Sequence, residues 1–168
     1  MKSYDIVIFP ILEVGHYYFI CFNLKNPTIT VVDNMCDKES LIGLSDDGDF
    51  FGKDTLMKNE LFVKYLRWVN HPRWNDILTV VPDKVKIDWA TKRNNQDCGV
   101  FVMKHMEMFM GTQDRHCDCG FPTDKKKLTR IIAVLRKKYA AKMVTSEANI
   151  LREKVIREAN DLDHERKK

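Results

Sequence analysis

The sequence predicts an α+β domain of the segregated kind, strands first and helices after. β-branched and aromatic residues crowd into three short segments within the first 33 residues, divided by turn residues. From residue 51 onward apolar residues recur at three- and four-residue spacing instead. The regular strand–helix alternation of a doubly wound sheet is missing, and so are GxGxxG and GxxxxGK[ST] motifs.

Tyr4–Pro10 reads as a strand stopped by its proline, and Glu13–Gly15 as the turn after it. His16–Leu24 (HYYFICFNL) is the second strand. Lys25–Pro27 is a turn signal, and Thr28–Asp33 is a third strand, antiparallel to the second because so few residues join them. Residues 36–50 carry Asp, Ser and Gly and read as a loop. Phe51–Val69 reads as a helix with Leu56, Leu61, Phe62, Tyr65, Leu66 and Val69 near one face, broken at Asn70–Asn75. Thr79–Val81 and Val85–Trp89 are short strand candidates around Pro82. A polar stretch, Thr91–Asp97, leads into a helix over Cys98–Met110, which Gly111 closes. An amphipathic helix over Asp124–Met143 turns Leu128, Ile131, Ile132, Leu135 and Tyr139 inward, and residues 146–168 form a further charged helix.

Composition narrows the function classes. With 44% apolar and 31% charged residues, and only 7 Gly and 5 Pro in 168, the chain is neither disordered throughout nor collagen-like. Its apolar runs fall short of the roughly 18–20 residues that cross a bilayer, and the opening MKSYDIVIFP has no secretory h-region. The expectation is a nuclear or cytoplasmic protein whose five cysteines are reduced thiols. Charge is uneven: residues 1–123 hold 14 Lys+Arg against 17 Asp+Glu, residues 124–168 hold 14 against 7. The basic end reads either as a solvated, ion-paired helix face or as a module for an acidic partner. Its interleaved Glu and Asp favour the first, so nucleic acid is not the expected partner.

Cys98 stands where a polar loop becomes an apolar helix, with Gly99 behind it. A helix N-terminus favours thiolate and offers backbone N–H groups to a developing oxyanion. On position alone, Cys98 reads equally as a nucleophile and as a small buried apolar residue. A nucleophilic cysteine needs a base, and the base needs an orienting group. His16 opens one strand and Asp33 ends the next, so the hairpin sets them side by side at one end of the sheet. Elsewhere, His105 reads as structural, Cys21 as core, and His116-Cys117-x-Cys119 as an incomplete metal half-site without a second ligand pair. No metal is expected. Trp68, Trp74 and Trp89 read as core filling.

Together the segments GHYYFICFNL, TVVDN and NNQDCGVFVMKHME resemble the catalytic core of the SUMO-specific (ubiquitin-like protein) cysteine proteases, over roughly residues 4–141. The resemblance is greatest to divergent, often transposon-associated plant members. It implies a papain-like, adenovirus-protease-like fold, an antiparallel sheet packed with helices, with a catalytic core over residues 1–143, a charged helix or tail over 144–168, and no counterpart of the family's N-terminal subdomain. By resemblance, Cys98 is the nucleophile, His16 the general base and acid, and Asp33 the orienting carboxylate. The reaction is cleavage after the C-terminal Gly of SUMO or another ubiquitin-like modifier, with no cofactor. The family's usual oxyanion Gln, six residues before the Cys, is Lys92 here, which leaves Gln96, Asn94 or Asn95 as a substitute, Gln96 foremost. Tyr17 replaces the Trp that walls the tunnel for the Gly-Gly tail. A modifier-binding relative without turnover is the alternative.

Overall fold

The computed structural model describes residues 4–13, 15–34, 53–87, 96–109 and 119–167. These fall into two compact units, Met1–Thr123 and Asp124–Lys168. The expected loop at 36–50, Trp89, and the Gly111 helix stop lie outside the described residues.

The first unit is built on a four-stranded sheet in the order β1 (Ile6–Glu13), β2 (His16–Asn23), β3 (Thr28–Val32), β4 (Asp83–Lys84). β1 and β2 pair antiparallel from Ile6↔Asn23 to Glu13↔His16, so the strand runs straight through Pro10. The proline does not stop it because β1 is an edge strand, where a missing N–H need not break a ladder. Gly15 makes the turn at φ +79°, a left-handed conformation that suits glycine. β2 pairs antiparallel with β3, from Phe19↔Val32 to Asn23↔Thr28. The intervening turn is held by Asn23 Oδ1, which accepts from the N–H groups of Lys25 (3.1 Å) and Asn26 (2.9 Å).

β4 departs from the all-antiparallel expectation. It runs parallel to β3, with Thr30↔Asp83 and Val31↔Lys84, and Val85 N–H donates to the Val31 carbonyl at 2.9 Å. A parallel neighbour requires a crossover, and the helical segment between β3 and β4 supplies it: α1 (Lys53–Trp68) and the short α2 (Trp74–Leu78). Of the two expected strands here, Thr79–Val81 forms none, and the paired residues Asp83–Lys84 lie just ahead of the expected Val85–Trp89. Thr79 instead ends α2, its N–H donating to the Asp76 carbonyl and Val80 N–H to the Ile77 carbonyl, and Val81 is exposed.

Every β2 residue except Tyr17 is buried, as in a strand covered on both faces. Tyr18, Ile20 and Phe22 share one face with α1, where the Phe22 and Phe62 ring centroids are 4.3 Å apart. Phe19 and Cys21 share the other face with α3 (Cys98–Met108), where Phe19 meets Phe109 at 5.8 Å. Each fully buried aromatic or aliphatic side chain stabilises the fold by about 1.5–3 kcal/mol. The buried stripe of α1 is Phe62, Val63 and Leu66; Leu61 and Tyr65, expected inside, are exposed. They border an open apolar cavity of about 560 Å³ between α1 and β1, lined also by Phe9, Ile11 and Phe22. Trp68 at the end of α1 is 77% exposed rather than core.

The second unit holds α4 (Lys125–Thr145) and α5 (Arg152–Arg166). Asp124 caps α4, Oδ1 accepting from Lys127 N–H at 2.8 Å. Ile132, Leu135 and Tyr139 are buried as expected, while Ile131 is exposed. Asn149 Nδ2 and Arg152 Nε donate to the Val144 and Thr145 carbonyls, satisfying the C-terminal end of α4. α5 has no buried residue.

Candidate active site

The β2–β3 hairpin brings His16 and Asp33 together. Asp33 follows Val32, the last paired residue of β3, and Val32 faces Phe19. Asp33 therefore lies across from the start of β2, within a diagonal reach of His16. His16 Nε2 is 2.7 Å from Asp33 Oδ1, with both side chains buried. A carboxylate only accepts, so Nε2 carries the hydrogen and donates. His16 Nδ1 is buried and has no hydrogen-bond partner among the described residues. Tyr18, two residues on, stacks its ring near that of His16 at 6.3 Å. Its hydroxyl donates to Glu13 Oε2 (2.7 Å), and Lys58 Nζ donates to both Glu13 Oε2 and Tyr18 Oη at 2.9 Å. This network ties β1 and β2 to α1 beside the imidazole.

Cys98 is the first residue of α3, and Asp97 is its N-cap. The Asp97 carbonyl accepts from Val100 N–H (2.9 Å) and Phe101 N–H (3.0 Å), so the helix starts tightly at the cysteine. Helix geometry leaves only the N–H groups ahead of Val100, those of Cys98 and Gly99, without intrahelical carbonyls. Phe101, Val102 and His105 are buried and hold α3 in place. Cys98 itself is buried, its Sγ 4.0 Å from the carbonyl oxygen of Gly15, the residue before His16. Thus the hairpin turn and the helix tip meet at one end of the sheet. Gly99 faces Tyr17: a β-carbon there would sit 3.8 Å from Cδ2 of the tyrosine ring, which is partly exposed. Gln96 is exposed in the bend before Asp97. Lys92, Asn94 and Asn95 lie outside the described residues.

One contributor is not legible in the sequence. Lys84 Nζ approaches Asp33 Oδ2 to 3.5 Å, with its side chain 8% exposed. Only the parallel register of β4 against β3 brings it there, and nothing in the local pattern around Pro82 reveals that register.

No protein-family model matches the sequence, and no curated protein matches it. Solved structures do. SUMO protease Ulp1 with its catalytic cysteine oxidized to a sulfinic acid superposes with a TM-score of 0.50 at 19% identity, covering 78% of this chain and 50% of that one. The sulfenic acid form gives 0.50 at 17% identity, with the same coverage. The chain has a Ulp1-like fold. It is an α+β, papain-like architecture, and the chain spans about half the length of the structures it matches.

Within this Ulp1-like fold the other thiols and imidazoles take structural places. Cys21 is buried between β-strand neighbours, and burial pushes its thiol up to about 11. His105, almost wholly buried, shares a hydrogen bond with Cys119, Nδ1 and Sγ lying 2.8 Å apart, beside the rings of Phe19 and Phe121. His71 Nδ1 accepts from Arg73 N–H in the turn after α1. His116 and Cys117 lie outside the described residues. Among the described residues no three His, Cys, Asp or Glu side chains are grouped to hold a metal ion, and no helix is long and apolar enough to cross a membrane.

Proposed function

We propose that this protein is a thiol protease or isopeptidase that cleaves after the C-terminal Gly of SUMO or a related ubiquitin-like modifier, with Cys98, His16 and Asp33 as its catalytic residues. The observation that carries the reading is the buried 2.7 Å contact between His16 Nε2 and Asp33 Oδ1, beside a helix-initial cysteine whose sulfur is 4.0 Å from the Gly15 carbonyl. The Ulp1-like fold supports it, since the solved neighbours are SUMO proteases.

The chemistry follows from the residues. With Nε2 committed to Asp33, Nδ1 is the ring nitrogen left to take the proton of Cys98. The thiolate attacks the carbonyl carbon of the terminal Gly. Negative charge moves to the carbonyl oxygen, where backbone N–H groups of the first turn of α3 stabilise it. His16 returns the proton to the leaving amine, and the C–N bond breaks to give a thioester. Water, deprotonated by His16, adds to that thioester and frees the modifier and the thiol. Asp33 keeps the ring oriented and stabilises its charged form. Tyr17 packs against the bare backbone of Gly99, and the two form one wall along which an extended Gly-Gly tail reaches the sulfur.

A SUMO vinyl sulfone tests the proposal. The expected result is a covalent adduct on Cys98 that disappears in Cys98→Ala. Folded wild-type protein that forms no adduct, or equal cleavage of a SUMO conjugate by wild type and Cys98→Ala, overturns it.

A further inference from the structure

Asp33 has a second partner that the chemistry above leaves unused. Lys84 Nζ lies 3.5 Å from Asp33 Oδ2; the lysine side chain is 8% exposed and the carboxylate has no exposure. Taking an ammonium out of water is costly unless an anion compensates it. The backbone explains the meeting. β4 pairs Lys84 with Val31, and Val31 is two residues before Asp33, so the side chains of Lys84 and Asp33 project on the same face. The two carboxylate oxygens thus hold different partners, Oδ1 the imidazole and Oδ2 the ammonium.

We infer that Lys84 is a positioning residue for the His16–Asp33 pair, an inference that rests on the protease reading. In that reaction His16 alternates between neutral and charged forms. A buried carboxylate balanced by the imidazole alone would lose its counter-charge whenever the ring is neutral. The fixed ammonium keeps Asp33 ionised through both halves of the cycle. It also anchors Oδ2, which holds the carboxylate in the rotamer that presents Oδ1 to Nε2. Lys84 acts through Asp33 and not on the substrate.

Three variants test this in the full chain: Lys84→Met and Lys84→Gln remove the charge, and Lys84→Arg keeps it. With SUMO carrying a C-terminal aminomethylcoumarin amide as the probe, the neutral variants lose about tenfold in kcat with KM held within about twofold, and Lys84→Arg recovers most of the loss. In parallel, the His16 Nε2 proton, bonded to a carboxylate, gives a far-downfield NMR resonance in wild type and Lys84→Arg and is lost to exchange in the neutral variants. A neutral variant that folds and keeps its rate or its resonance overturns the inference, and so does a loss that Lys84→Arg does not recover. If Lys84→Met does not fold, Lys84→Gln carries the same comparison. The resonance needs no turnover: wild type that leaves the probe uncut, while its resonance still follows the charge at position 84, sinks the protease reading and leaves the role of Lys84 standing.

Discussion

Tyr17 stands over Gly99, its Cδ2 atom 3.8 Å from the place a β-carbon would occupy. That distance is ordinary van der Waals contact, so ring and backbone pack as one wall next to the thiol. Removing the ring breaks the wall; keeping an aromatic preserves it. Tyr17→Ala is expected to raise KM for a SUMO amide substrate about tenfold, the loss of roughly 1.4 kcal/mol of tail contact. Tyr17→Trp is expected to stay within about threefold of wild type. Steady-state kinetics on the two variants, with iodoacetamide alkylation of Cys98 as a check that the thiol remains in place, decide the matter. Equal KM values for both remove Tyr17 from the tail-binding wall.

Asp33→Asn keeps the shape of the side chain and removes its charge. An amide no longer selects the ring form with hydrogen on Nε2, and it no longer stabilises the imidazolium. A fall in kcat/KM of about 100-fold or more is expected. The substitution also replaces the charge that faces the buried Lys84 ammonium at Oδ2, which should cost about 3 kcal/mol of stability. Urea denaturation and kinetics measured on the same preparation separate the two effects, and a variant with unchanged kcat/KM would remove Asp33 from the mechanism.

Cys21 gives a pH prediction with a definite sign. Its thiol is pushed from 9.0 up to about 11 because burial disfavours the thiolate. The folded state therefore binds the proton more tightly than the unfolded state. The contribution to stability is intact below pH 9 and is lost as pH rises toward 11, by up to roughly 1.4 kcal/mol per pH unit in that window. Cys21→Ala should flatten this part of the stability–pH curve. Mass spectrometry after brief alkylation at pH 8 should find Cys21 unmodified in the native protein.

Two aromatic residues on α1 predict opposite outcomes. Phe62 is 7% exposed and meets the rings of Phe9 and Phe22, so Phe62→Ala should cost about 3–5 kcal/mol. Trp68 is 77% exposed, and Trp68→Ala should stay within about 0.5 kcal/mol of wild type. Urea melts of the pair check both values; a Trp68 cost as large as that of Phe62 would mean the tryptophan is covered in solution.

Local pattern made part of this site readable. The short turn after Asn23 leaves little freedom in the register of β2 and β3, so the placing of His16 beside Asp33 follows from spacing alone. The switch from polar to apolar residues at Asp97 marks where α3 begins, and hence what stands at its tip. Relationships set at a distance were hidden. Lys84 reaches Asp33 through a parallel pairing fixed by how the crossover packs, and a lysine between Asp83 and Val85 carries no mark of that. Helical spacing named Leu61 and Tyr65 as inward because it reports a face, not what covers it; an open cavity lies there instead. α2 is five residues long, too short to show a period.

The sulfur of Cys98 and the carbonyl of Gly15 are 83 positions apart in sequence. A ribosome that has made the hairpin has not yet made the thiol, and a nascent chain that has both still lacks the packed helix that joins them. The meeting of sulfur and hairpin is thus made only when the fold is complete, and a half-built copy has the two segments but not their contact.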